Sequence, residues 1–363
     1  MSIKPKKNIL DLFRIPNSNL NRADFLRLDK NENLIGFSED VINDIKSIIS
    51  SDFITAYPET GLLYQKLSEN LGLDSSQFYL SSGSDAGIKS VFEVYVNPGD
   101  EVLVIDPTYA MYYIYADMFQ GRLVKVSYER DFTLSVDKII NSISSKTKLV
   151  CIANPNSPTG TFIPMDDLQQ VIKMANRHGA IALIDEAYYH YCEKTAIGLL
   201  KNNENLIITR TFSKALGIAS ARLGFVISNP SIIANLFKVR PMYEVNSFAV
   251  QLGIYFLEHS EIVGDHINQV SHSKIFLKKE LLQDGLSIQP SFTNFVLIDV
   301  GNSEKSKRIV QLLFDEKIII KGGFKEPCLE SYIRVGIGSI DQMRFFVKEL
   351  RIVLEKINNK SSN

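Results

Sequence analysis

Leu206-Ile-Ile-Thr-Arg210-Thr-Phe-Ser-Lys214-Ala-Leu-Gly-Ile-Ala-Ser-Ala-Arg222-Leu-Gly224-Phe-Val-Ile-Ser228 decides how this chain reads, because two short apolar runs bracket a lysine set among small hydroxyl residues. The flanking runs, 206–210 and 224–228, have the length and texture of strands covered on both faces. Between them Lys214 stands eight positions before Arg222. A lysine becomes a Schiff-base nucleophile when its surroundings lower its pKa, and hydroxyls with a guanidinium are what a phosphate dianion needs. The bland alternative is a surface lysine at a helix start.

Working outward, residues 77 to 228 alternate short apolar runs with longer amphipathic stretches, the pattern of strand-helix repeats on a mostly parallel sheet. Further strands are predicted at 78–80, 101–106, 148–153 and 180–185, and helices at 84–96 and 164–177. After about residue 245 the texture changes to long helical segments, followed by strands predicted at 295–299, 317–321 and 332–335 and a last helix whose tail, 356–363, should fray. The expected architecture is α/β: an arm over residues 1–45 that lies on the small domain or on a partner, a large domain over 46–260 with a mostly parallel sheet flanked by helices, and a smaller α+β domain over 261–363.

Composition narrows the class. The 363 residues carry a formal charge of −1 and are 45% hydrophobic, which argues against disorder and against nucleic acid as a partner. No run approaches 18 apolar residues, so no membrane span is expected. Cys151, Cys192 and Cys328 show no paired spacing and read as reduced thiols in a cytoplasmic protein. His190 and Cys192 alone fall short of a metal site.

Other segments extend the chemistry in chain order. Asp185-Glu-Ala-Tyr188 ends an apolar run and puts a carboxylate at the C-terminal edge of the sheet, where it can hold a pyridine nitrogen protonated or simply cap a turn. Tyr188 is placed to reach a phenolic oxygen on the same ring. Ser81-Ser-Gly83-Ser84-Asp85-Ala-Gly87 is a strand, a small turn and a helix start, suited to an anion, with Thr211 and Ser213 as further donors. Tyr109, after Asp106-Pro-Thr, can cover a flat ring or be an ordinary half-buried aromatic. Asn154-Pro-Asn156-Ser157-Pro-Thr-Gly160 is a rigid loop whose asparagines can reach ring or substrate oxygens. Arg334, in the apolar Tyr332-Ile-Arg-Val335, either pairs with an internal acid or forks onto a substrate anion. The cofactor that fits the set is pyridoxal 5'-phosphate (PLP).

Together these segments resemble the fold type I PLP-dependent aminotransferases, more narrowly the histidinol-phosphate aminotransferase group, from about residue 28 to 350. The resemblance also rests on Leu28-Asp-Lys-Asn-Glu-Asn33 and Tyr57-Pro-Glu59. It implies that Lys214 carries the cofactor, Asp185 pairs with the ring nitrogen and Tyr188 with the phenolic oxygen. Gly83, Ser84, Asp85, Thr211, Ser213 and Arg222 surround the phosphate, Tyr109 stacks on the ring, and Arg334, Lys321 and Asn33 meet the substrate. It also implies a homodimer in which Tyr57 reaches the neighbouring site. Ser157 stands where the family has asparagine, so the ring-oxygen contact is lost or passes to Asn156; Lys321 stands for a second arginine, and Phe13-Arg-Ile-Pro16 offers no tyrosine. The implied activity moves an amino group, from glutamate, to a small anionic oxo compound, phosphorylated or not. A PLP-dependent decarboxylase of a phosphorylated amino acid, and a binding protein without turnover, are the other readings.

Overall fold

The computed structural model describes residues 3–10, 12, 14 and 20–360, so Phe13, Ile15 and Pro16 lie outside the described residues. The first strand, β1 (Leu26–Arg27), belongs to the arm. Seven strands then build the main sheet: β2 (Phe78–Ser81), β3 (Glu101–Asp106), β4 (Arg122–Ser127), β5 (Thr147–Ala153), β6 (Ile181–Asp185), β7 (Leu206–Thr211) and β8 (Gly224–Ser228). Their order across the sheet is β2-β8-β7-β6-β5-β3-β4. Only β8 runs against its neighbours.

Side chains alternate faces along a strand, and both faces here are apolar. Leu103, Ile105, Val150, Ile152, Ile184 and Ile208 pack on one side against Leu168, Val171 and Ile172 of the helix Met165–Arg177. Val102, Val104, Leu149, Cys151, Leu183 and Ile207 pack on the other against Val91 and Phe92 of the helix Ser84–Tyr95. That double burial is why these runs read as apolar throughout. Within the main sheet the sequence reading misses β4, which lies at the sheet edge and is mostly exposed or half-buried, so its apolar residues never form a run.

The direction of β8 positions the site. Strands β2, β3, β5, β6 and β7 deliver their C-terminal ends to one edge, and because β8 is reversed, its entry residue Arg222 arrives there too. One edge therefore collects six chain segments.

A second, antiparallel sheet is formed by β9 (Ser287–Ile288), β10 (Phe295–Asp299), β12 (Lys321–Gly322) and β13 (Tyr332–Gly336) in the order β12-β13-β10-β9, while β11 (Ile318–Ile319) pairs in parallel with β1. The single strand expected over 317–321 is thus split, because its first half pairs with the arm and its second with β13. The helices Ser260–Gln283, Ser303–Asp315 and Ile340–Lys360 complete this layer. Its last helix continues to Lys360, with Ile357 against the core, where the sequence suggests fraying.

The arm is part of this second core. Leu28 is fully buried among Val296, Ile318, Ile333 and Phe346, and its backbone bonds to both sides, its N–H to Ile319 O at 2.8 Å and its carbonyl to the Gly336 N–H at 2.8 Å. Leu28→Ala should cost about 3 kcal/mol of stability, whereas Leu282→Ala, at a side chain 69% exposed, should cost little. Urea midpoints for the two variants measure the difference.

Candidate active site

A cavity of about 260 Å³ opens at the collecting edge of the main sheet, lined among others by Ser84, Asp85, Tyr109, Asp185, Tyr188, Thr211, Ser213, Lys214, Arg222 and Arg334. These ten residues come from six segments of the chain. The helix Ser84–Tyr95 follows β2 and aims its free N–H end at the cavity. Arg222 is beside it, its Nη1 donating to Ser213 Oγ at 3.3 Å and Ala219 O at 3.2 Å. Arg222 holds a left-handed backbone, φ 54°, a conformation that costs about 1 kcal/mol or more in a non-glycine residue and clusters at functional sites. Gly83, with φ 80°, is needed here: a Cβ would sit 2.5 Å from Arg222 Nη2. Glycine lets the guanidinium lie over the turn.

At the centre, Asp185 ends β6 with 4% exposure. Its Oδ2 accepts from Tyr112 O–H at 3.1 Å and its Oδ1 from the Ala187 N–H at 3.1 Å. Burial, only partly offset by these donors, pushes its carboxyl up to about 6. Such an acid is primed for a cationic or N–H partner. Tyr109 lines the same wall, its O–H donating to Asp85 Oδ1 at 3.2 Å, and burial pushes its phenol well above the usual range. Tyr115 donates to the same oxygen at 2.9 Å.

Lys214 faces this floor from the turn after β7, and its Nζ donates to Lys30 O at 2.9 Å and Asn31 O at 3.4 Å. Arg334 approaches from β13 of the second sheet. Its Nη2 donates to Asp29 O at 2.6 Å and its Nη1 to Ser157 Oγ at 3.4 Å, while Nε is buried without a partner. Desolvation lowers its pKa. The ion-pair alternative fails for want of an acid, since the Asp29 carboxylate is taken by Arg22 at 2.9 Å. A guanidinium whose buried N–H has no partner among the described residues is suited to receive an anion.

Four sequence candidates stand elsewhere. Asn156 is 1% exposed, but its amide is spent on Pro107 O, Thr159 and Thr108, so it locks two loops together and does not face the cavity. Asn33 caps its own turn, accepting from the N–H groups of Ile35 and Gly36. From that motif it is Lys30 and Asn31 that line the cavity. Lys321 pairs with Arg334 in register, yet its side chain is exposed and outside the lining. Tyr57 is 72% exposed and stacks on Tyr243 at 4.1 Å, away from this chain's own cavity. Tyr112 was missed, as it reads as one more aromatic of a helix.

The whole-chain comparisons agree with this geometry. The model of the aminotransferase class I and II family matches residues 23–350. The chain belongs to that family. Curated members like it include the histidinol-phosphate aminotransferase of Clostridium novyi (strain NT), 32% identical over 87% of this chain and 88% of that protein. Histidinol-phosphate aminotransferase 1 of Carboxydothermus hydrogenoformans is 32% identical over 91% of this chain and 93% of that protein. Among solved structures, histidinol-phosphate aminotransferase from Sinorhizobium meliloti in complex with pyridoxal-5'-phosphate superposes with a TM-score of 0.88 at 25% identity, covering 98% of this chain and 99% of that one. Among the described residues no cluster of His, Cys, Asp or Glu suits a metal ion, and no helix is long and apolar enough to cross a membrane.

The raised Asp185 carboxyl has a measurable consequence. Its folded value, about 6, exceeds the ordinary carboxyl value of 3.8, so below 3.8 it costs nothing and the penalty grows as pH rises through 6. Asp185→Asn in the cofactor-free protein should therefore be more stable at pH 7, by up to about 3 kcal/mol. The gain should vanish toward pH 4, as read from thermal melts across pH.

Proposed function

We propose that this chain is a PLP-dependent aminotransferase that takes its amino group from glutamate and passes it to a small anionic, phosphorylated oxo compound. The observation that carries the reading is the gathering of Lys214, Arg222 and Arg334, none of them on a carboxylate, around the desolvated Asp185. PLP fits those residues: the Ser84 helix end, Thr211, Ser213 and Arg222 would hold its phosphate, Asp185 its ring nitrogen, Tyr188 its phenolic oxygen, and Tyr109 would cover its ring. When bound it supplies an aldehyde that condenses with an amine and a ring that takes up an electron pair.

The chain's own groups do the rest. Asp185 keeps a proton on the ring nitrogen, for which its buried setting is suited. Lys214, with its amine free, would move a proton at the substrate's α-carbon. Arg334 and Ser157 hold the substrate's anionic end, which fixes the bond that lies across the ring. The names of the curated relatives support a phosphorylated substrate and favour transfer over decarboxylation.

The protein acts in the cytoplasm as a homodimer. The exposed patch of Ile54, Tyr57, Met242, Tyr243 and Phe248 supports a second copy there, with Tyr57 reaching the neighbour's cavity.

The test is direct. PLP followed by borohydride should leave a mass adduct on Lys214, and glutamate should shift the visible band of the unreduced protein. Lys214→Ala should lose the adduct and about a thousandfold or more of the transfer rate. An unlabelled Lys214 would end the cofactor reading, and a band indifferent to every amino donor would end the transfer reading.

A further inference from the structure

Asn31 bonds to Lys214, Asn294 and Tyr188 at once. It is 3% exposed and holds a left-handed backbone, φ 57°, which asparagine tolerates better than most residues. Its carbonyl accepts from Lys214 Nζ at 3.4 Å and from Asn294 Nδ2, in the second unit, at 3.1 Å. Its side-chain Nδ2 donates to the Tyr188 hydroxyl at 2.8 Å, and its Oδ1 has no partner. Turning the amide over would leave the N–H pair buried and unpaired in place of the oxygen, the rarer and costlier outcome.

We infer that Asn31 is a positioning residue that fixes which way the Tyr188 proton points. A phenol oxygen that accepts from an amide N–H keeps its own O–H free, and Tyr188 lines the cavity. The same amide that orients the phenol ties it to the strap holding Lys214, so one residue of the arm aligns both groups. An acceptor at position 31 would instead draw the phenol's proton away from the cavity. This inference rests on the PLP reading above, in which Tyr188 donates to the ring oxygen. Charged groups facing the phenol are Lys214, 5.7 Å from Nζ to the ring centroid, and Arg334, which also bears on it electrostatically; Asp185 lies in the same cavity lining.

The experiment compares holoenzymes of wild type, Asn31→Gly, Asn31→Asp and, as the benchmark for full loss of the phenol, Tyr188→Phe. Glycine accepts the φ of residue 31 and keeps the carbonyl contacts to Lys214 and Asn294, while aspartate keeps the shape and loses the donor. The readout is the pH midpoint of the visible absorption band, with kcat and KM for transfer measured alongside. A weakened phenol donor stabilises the ring's oxyanion less, so Gly and Asp variants should both raise the midpoint toward the Tyr188→Phe value, by about half a pH unit or more. Both should lower kcat more than they raise KM. The same direction in the uncharged Gly variant separates donor loss from added charge. A wild-type midpoint in either variant overturns the assignment, and a wild-type-like Asp variant beside a shifted Gly variant would show a role of shape alone. A wild type with no visible band would sink the cofactor reading itself, a different failure.

Discussion

Charge without a counter-charge governs this molecule. Lys214, Arg222 and Arg334 meet at one cavity and direct their hydrogen bonds to carbonyls and hydroxyls, while Asp185, the acid beneath them, is desolvated and held by a phenol and a backbone N–H. Arg210 and Glu186, both almost fully buried, show the usual alternative, an ion pair at 2.8 Å. Arg334 bears the cost of lacking such a partner, since its Nε is buried with no partner among the described residues, whereas Arg222 is exposed to solvent. The arrangement suits the proposed ligand, which would bring an anion to each guanidinium and a nitrogen to the acid.

The fold exists to bring those groups together. Six segments reach one edge of the main sheet because its strands share a direction, and the reversed β8 adds Arg222 to the edge. The second sheet contributes Arg334, and the arm, fastened by Leu28 between β11 and β13, spans the two units and presents its carbonyls to Lys214 and Arg334. An arm rooted in one core and touching Lys214 of the other links the geometry of the cavity to the seating of the second unit.

What the sequence disclosed follows from what each residue is bound to. Strands such as 101–106 and 147–153 were legible because two apolar faces leave no ambiguity of period, whereas β4 hides its alternation at an open edge. Lys214, Asp185 and Arg222 could be read because a charged residue at a strand end has few structural uses. Asparagines were harder: Asn156 and Asn33 are consumed by local loops, and Asn31, two positions from Asn33, is the one at the site. An amide serves turns and active sites equally well, so type and spacing alone do not separate the two. Tyr112 is hidden for a similar reason, since only the fold reveals that its hydroxyl ends on Asp185.

The central claim is that the cavity is one site awaiting a ring and a phosphate together. It is tested most directly by the thermal unfolding of the cofactor-free protein with pyridoxal 5'-phosphate and, separately, with pyridoxal, which lacks the phosphate. A ligand that fills the guanidinium and the acid at once should raise the midpoint in proportion to its affinity, and pyridoxal at the same concentration should raise it far less. Equal shifts with both compounds would show that the unpaired Arg222 and the Ser84 helix end are not a phosphate site, and the account would be wrong.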